Sequence, residues 1–547
     1  MNMKKIRTGI NIGLTIFFLI SLVVSPQNLN PMYADGAFTW LFVISAYIIL
    51  NSFSVLSTIR VEQNEHGGFS FDIDKTAQGF KRLVKILGVL WGLFFLLNII
   101  SSPLFNSKAY RDQLGVSETT EFSQDIQALD LSQIPIVDQA LAKSLADKKL
   151  GENPGVGSQV YVGTPVIQQV NGELVWIVPL QHSGFFKWLK NIDGSAGYIT
   201  VSATNQQDIQ FVDTEIKYQP NSYFFDDITR YLRIVKGYLF TGLTDYSFEI
   251  DDSGVPHWIV TTYANNWIFS LPEATGILVL NATTGEVSEY GLDNTPDWVD
   301  RVQPQYFIMN QINNQGEYIH GIFNFSNQDK FQSSTGEIII YNDGNCYLFT
   351  GLTSVGSDES AIGFIMVNMV TKESKIYQIS GATEYAAKLS AEGKVQQYGY
   401  YSSFPIIINH NGVATYFMTL KDNSGLIKQY AFVSVSDISS VGVGENISAA
   451  LRDYETTLGT SNSFAKPEGE EITKQGTIIR ISSETYGGSL DYKFIIDSVP
   501  NKIFSAVNTL SSELAITEVS DKVSISYYES ESGVISVTKF DNLEFTQ

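Results

Sequence analysis

The chain has 547 residues, with 35 Lys and Arg against 57 Asp and Glu, a formal charge of −22, 44% hydrophobic residues and one cysteine. Single cores rarely grow past about 250–300 residues, so several are expected, and the lone Cys346 excludes an intrachain disulfide framework and a Cys-based zinc or iron–sulfur site. Residues 1–110 hold nine Lys and Arg against five Asp and Glu, leaving 26 against 52 for the rest; so acidic a body repels phosphate backbones, and no nucleic-acid partner is expected.

Three apolar stretches open the chain: residues 9–24, 38–56 and 83–100. None carries an acidic residue, and the second and third approach the length a bilayer helix needs. Lys85 sits at the edge of the third, where its ammonium reaches the interface. Lys4, Lys5 and Arg7 precede the first stretch and Arg60, Lys75, Lys81 and Arg82 separate the last two, whereas the 26–37 loop carries only Asp35. The positive-inside rule therefore puts the amino terminus in the cytoplasm and residues 107–547 outside it. The first stretch has the look of a signal peptide, but Ser25-Pro26 offers no small-x-small cleavage site. Without ionisable groups at their centres the spans read as an anchor rather than an ion path. A long exported body with no disulfides fits a bacterial envelope.

Residues 107–135 are polar and poor in aromatics, which predicts a stalk. Val137, Leu141 and Leu145 then recur at helical spacing between Pro135 and Gly151, with lysines in the last turn. Four hairpins follow, turning on Asn171-Gly172, Asp251 to Gly254, Asp343-Gly344 and Asn411-Gly412. Each leads to a further strand: Gly197 to Thr204, Gly276 to Thr283, Gly363 to Val370 and Tyr430 to Val435. Helices are predicted between them over 225–235, 296–312, 383–395 and 445–458, giving α+β units in which each helix covers a small antiparallel sheet.

The order helix, hairpin, strand, with Asn281-Ala282-Thr283-Thr284-Gly285-Glu286-Val287 closing the second copy, resembles the PepSY domain over residues 135–440. The Ala-rich run 140–146 is similar to that family's first helix. The third copy has Thr371-Lys372-Glu373 instead, and the first Thr204-Asn205-Gln206. The resemblance implies a regulator or inhibitor of an extracytoplasmic peptidase, with no catalytic residue to transfer.

The expected organisation is an anchor over 1–106, a stalk over 107–135, and four units over 136–225, 226–295, 296–381 and 382–458. A linker over 459–470 and a small β-barrel of OB or SH3 type over 471–547 complete it, the barrel from five short alternating segments.

Chemistry is sparse. The chain lacks a phosphate loop, a His-Glu-x-x-His and a Gly-x-Ser-x-Gly, and its five histidines are scattered, so no catalytic, cofactor or metal residue is assigned. Asp226-Asp227 reads as a helix cap and Asp251-Asp252 as a turn. Trp176, Trp258, Tyr347 and Tyr416 share a place in the central strands and read as core. The residues expected to meet a partner are Phe185, Phe186 and Trp188, flanked by Lys187 and Lys190, together with Trp267. The function this supports is a non-enzymatic, membrane-anchored scaffold or binding protein of the envelope. The alternatives are the peptidase regulator and an enzyme acting on wall polymer.

Overall fold

The computed structural model describes residues 3–545 apart from 57–59, 64–68, 73–74, 121, 123–133, 335, 343, 357–360, 411, 461–471, 487–488, 508–509 and 528–533. Most of the expected 459–470 linker, part of the stalk and His66 lie outside the described residues. The chain forms two bodies, residues 1–119 with 134–377 and residues 120–133 with 378–547.

The first body begins with helices α1 (Met3–Val24), α2 (Ala34–Leu56) and α3 (Lys75–Ser101). Each contains a window long and apolar enough to cross a membrane: Arg7–Val24, Ala34–Asn51 and Lys81–Ser101. The segment expected to be a stalk starts differently. Helix α4 (Pro103–Asp112) follows α3 after a one-residue break, with Pro103 where a missing N–H costs nothing. Tyr110 stacks edge-on against Tyr318, and Leu114 is buried in the core of the third sheet with Ile308, Leu348 and Ile365.

Besides the two-stranded pair Arg60–Gln63 and Phe69–Asp72, this body holds three larger sheets among the described residues. The first has strands Val160–Val162 and Val166–Val170 side by side on Glu173–His182, then Tyr198–Ser202 and Ile209–Val212. The second is a meander of Gly242–Ile250, Pro256–Trp267, Ser270–Asn281 and Val287–Gly291. The third sets Phe331–Ser333 and Ile338–Asn342 on Asn345–Ser354, followed by Ala361–Asn368, Ser374–Tyr377 and, from the expected stalk, Glu118–Thr120. The first hairpin turns as its Asn-Gly predicts, with φ of +51° at Asn171 and +84° at Gly172. The second sheet is buried on both faces. Phe248, Trp258, Val260, Leu278 and Leu280 face a core shared with Ile177 and Tyr198 of the first sheet, while Ile259, Ile277 and Val279 pack on Val299 and Val302. Double-sided burial explains why these strands read as unbroken apolar runs.

One set of hydrogen bonds recurs in four sheets, the three larger ones of this body and the sheet of Val413–Lys421 in the second. The residue ending each third strand, Ala203, Ala282, Met369 or Val435, donates its N–H to the start of the central strand, at Leu174, Pro256, Cys346 and Ala414. Its carbonyl accepts from a strap preceding the helix: Ile136 and Val137, Lys217 and Tyr218, Val302 and Gln303, and Ala382. Two residues into the central strand, a polar aromatic tip clamps that strap: Trp176 Nε1 to Val137 O (2.7 Å), Trp258 Nε1 to Tyr218 O (2.9 Å) and Tyr416 OH to Ala382 O (3.0 Å). In the third sheet the register-equivalent residue is Leu348, paired with Val367 as Trp258 is with Leu280. Tyr347, expected to belong to this series, lies one residue off and so on the opposite face. Trp258→Phe should leave the Tyr218 carbonyl without its donor and cost about 1–2 kcal/mol, read from the urea midpoint of the detergent-solubilised chain.

Helix boundaries shift for local reasons. Asp138 caps the helix Gln139–Gly151 by accepting from Leu141 N. The helix expected over 225–235 breaks into Phe224–Asp226, Ile228–Arg230 and a π-turn Tyr231–Val235, because Asp227 stays extended to cap Arg230 N. That expected from residue 296 starts at Gln305: Pro304 disfavours helical geometry at Gln303, so the preceding residues become a strap.

In the second body, strands Tyr401–Ser402 and Ile406–His410 pair with Val413–Lys421, followed by Ile427–Ser434 and Val441–Gly444. Helices Glu384–Lys394 and Ile447–Thr460 pack on the last two strands. Gly442 lets the second helix lie directly on the sheet, since a Cβ there would sit 2.4 Å from Ala450 O. After residue 471 five strands close a ring in the order Ile472–Tyr486, Ser489–Ile496, Ile503–Val507, Val534–Asn542, Lys522–Tyr527. A bulge near Ile478 lets the long first strand pair with Lys522–Tyr527 on one side and Ser489–Ile496 on the other.

Candidate functional site

The innermost hairpin strands of the three larger sheets in the first body, Val166–Val170, Gly242–Ile250 and Ile338–Asn342, are each bonded to one neighbour only. Their free edges carry unpaired backbone groups that need partners once water is excluded. Side chains supply them. Gln168 Nε2 donates to Ile250 O (2.7 Å) while its Oε1 accepts from Ile250 N (3.0 Å). Asp300 Oδ2 accepts from Gln169 N (2.8 Å) and lies 2.9 Å from the Tyr341 hydroxyl. Ile167 O receives Arg301 Nη2 (3.2 Å).

Glu249 completes this cluster. It is 0% exposed, its Oε1 lies 3.0 Å from Ser247 Oγ, and its Oε2 accepts from Asp300 N at 3.2 Å. Burial, reinforced by the Asp300 carboxylate and opposed by Arg301, pushes the Glu249 carboxyl up to about 8. Burial likewise pushes Asp300 up to about 6, against the bonds from Gln169 and Tyr341. At neutral pH Glu249 is therefore mostly protonated beside an ionised Asp300 that faces Arg301. Cys346, 3% exposed in the same region, is pushed up to about 12 by burial and is held as a thiol. Both carboxyls are sealed from solvent, Asp300 being 8% exposed. The pair escaped sequence reading because its members lie in different elements. A Glu inside the apolar strand Tyr246 to Ile250 was the available signal.

The aromatic tip lies on the helix Phe185–Lys190 and the turn that faces it. Phe185 and Phe186 are exposed, Phe186 by 80%, but Trp188 is only 6% exposed. Expected to meet a partner directly, Trp188 is instead the floor of the tip: it stacks on Tyr223 and Phe224, with its Nε1 2.7 Å from Asp226 Oδ2. Phe224 and Phe225 add exposed rings, and Phe224 holds a φ of +49°, a strained position for an aromatic residue. Trp267 lies elsewhere, at the end of a hairpin of the second sheet.

The histidines stay apart. His182 is buried and its pKa is lowered by burial. His257 stacks on Trp298 with Nε2 3.4 Å from Asp251, and burial lowers its pKa also. His320 pairs with Asp329 and His410 with Glu455. Asp251 caps its turn by accepting from Ser253 and Val255. Among the described residues no group of three or more His, Cys, Asp or Glu is placed to hold a metal.

No family model matches the chain, and no curated protein matches it. Among solved structures it is aligned with a point mutant of levansucrase from B. megaterium at 10% identity and a TM-score of 0.17, over 78% of this chain and 96% of that one. It is also aligned with an exo-1,5-alpha-L-arabinanase from a bovine ruminal metagenomic library at 10% identity and a TM-score of 0.14, over 68% and 95%. At these scores neither alignment says anything of fold or activity.

Proposed function

We propose that the chain is a non-enzymatic, membrane-anchored binding protein of the bacterial envelope, its body held outside the cytoplasm and its aromatic tip offered to a protein partner. The observation that carries the reading is the tip itself: Phe185, Phe186, Phe224 and Phe225 stand exposed over a buried Trp188, beside Lys187 and Lys190, on an otherwise acidic body. The placement of the body is supported by the charge bias of the loops. It is supported too by contacts that bring the 26–33 loop and the end of α3 to the same hairpin.

A photo-crosslinking residue at Phe186, placed in the full chain in intact cells, should capture one discrete protein, while the same residue at exposed Phe323 captures none. Equal capture at both positions, or none at either, overturns the assignment of the tip. Protease added to intact spheroplasts should cut the body; a body cut only after lysis overturns the orientation.

The PepSY resemblance supports regulation of a peptidase as the task of such a protein. Its Thr-Gly-Glu turn is held by Asn281 Oδ1 accepting from Thr283 and Thr284, with Gly285 at a φ of +75°. Dose-dependent loss of peptidase activity on adding the solubilised chain would establish that reading. A wall-polymer enzyme would need two carboxylates open to its substrate, whereas Glu249 and Asp300 are sealed from solvent; release of soluble fragments from purified wall by the solubilised chain would establish that reading.

A further inference from the structure

The hairpin joining strands Pro256–Trp267 and Ser270–Asn281 turns on two residues, Ile268 and Phe269, with Trp267 paired to Ser270. Two-residue hairpin turns favour Gly or Asn where φ is positive, as at Asn171-Gly172. Ile268 nevertheless holds a φ of +41°, a costly position for a β-branched side chain. An apolar turn kept at a conformational cost needs an apolar environment to offset it.

Its neighbours show where that environment lies. Phe269 packs against Phe94 of α3 with ring centroids 5.7 Å apart, and Phe269 N donates to Ser101 Oγ at the end of that helix. Phe94 precedes Ser101 by two helical turns, so the hairpin tip reaches about 10 Å along the span from its outer end. At the same layer Phe94 meets Phe38 of α2. The flank of the hairpin is tied down by the loop between α1 and α2: Tyr33 OH donates to Tyr263 O (2.6 Å), and Leu29 N to Leu239 O (2.8 Å). Around this point Met32, Leu104 and Phe105 are exposed, Phe105 by 60%, and Trp267 by 42%.

We infer that Trp267, Ile268 and Phe269, with Leu104 and Phe105 of α4, form a fourth membrane-contacting element that lies in the headgroup and upper acyl region of the leaflet on the body's side. The occupant of this surface is lipid, because the surface is continuous with the spans, and Trp is the side chain that bilayer interfaces select. The inference does not depend on which side of the membrane the body occupies or on whether the aromatic tip binds a partner. It takes Trp267 out of the partner-binding set.

The test uses the full chain in vesicles of phosphatidylcholine and phosphatidylglycerol. Nitroxide labels are placed at Trp267→Cys and, as control, at Ser253→Cys in the exposed turn at the other end of the same sheet; Cys346 is buried and does not label. Power saturation should give a 267 label that collides with oxygen several-fold more than with a water-soluble nickel chelate, and a 253 label with the opposite ratio. A 267 label as open to nickel as the 253 label overturns the proposal. One shielded from both reagents also overturns it, because protein rather than lipid then covers the hairpin. Should the cysteine variant fail to fold, brominated lipid is applied to the wild type and to Trp267→Phe: the emission lost in the variant should be the lipid-quenched part, and a difference spectrum unaffected by bromine refutes lipid contact.

Discussion

Replacing Lys372 by Met should destabilise the first body by about 2–4 kcal/mol, because it removes one half of a nearly buried ion pair and leaves the other half behind. Lys372 Nζ lies 2.8 and 2.7 Å from the two carboxylate oxygens of Glu273 and 2.7 Å from Gln113 O, and the paired side chains are 16% and 17% exposed. The three residues come from the turn closing the third sheet, the membrane-side hairpin of the second, and the segment after α4. Without the ammonium, the amide of Gln311 at 3.3 Å is the one side-chain donor left to Glu273 among the described residues. The backbone gives an internal control. Lys372 occupies the turn position that Gly285 fills in the second sheet, with a φ of +68°, so Lys372→Gly should lose less than Lys372→Ala by about 1 kcal/mol. Glu273→Gln combined with Lys372→Met should be less damaging than the sum of the single changes, which gives the coupling directly. Urea midpoints in detergent, followed by tryptophan emission, measure all five variants, Glu273→Gln alone included. Additive single changes would show that the pair does not hold these segments together.

The features legible in the sequence were those written in contiguous residues. Unbroken apolar runs marked α1 to α3, Asn171-Gly172 marked a hairpin, and Val137, Leu141 and Leu145 marked a helix. What escaped was set by distance or register. Glu249 and Asp300 are 51 positions apart and meet because free strand edges of different sheets must be satisfied in the same dry region. Tyr347 was aligned with Trp258 on aromatic character, yet a slip of one residue turns a strand side chain to the other face, and Leu348 holds the place. Polar composition from residue 107 to 135 read as a stalk because it hides single contacts such as buried Leu114 and the Ser117–Ser374 hydroxyl pair. Trp188 looked exposed because its neighbours are, while its indole N–H had the half-buried Asp226 carboxylate to reach.

The stability of the first body should fall as pH rises from about 5 to 8, and Glu249→Gln should flatten that fall. Glu249 titrates near 8 in the fold and near 4.3 in an unfolded chain. Between those values the native state binds a proton that the unfolded state has released, so stability declines with rising pH. The contribution is fully present below the unfolded pKa and gone above the folded one. Asp300, raised to about 6, acts in the same direction over the lower part of the window, so the segment between pH 6 and 8 belongs to Glu249. A neutral amide at position 249 has no proton to lose. The variant should therefore match the wild type to within about 1 kcal/mol at pH 5 and exceed it by on the order of 2–3 kcal/mol at pH 8. General repulsion in a chain of charge −22 also weakens the fold at high pH, but it acts on both proteins and cancels in the difference between their urea midpoints. Parallel wild-type and variant profiles from pH 5 to 9 would mean that Glu249 is ionised in the native cluster and that Arg301 outweighs burial there.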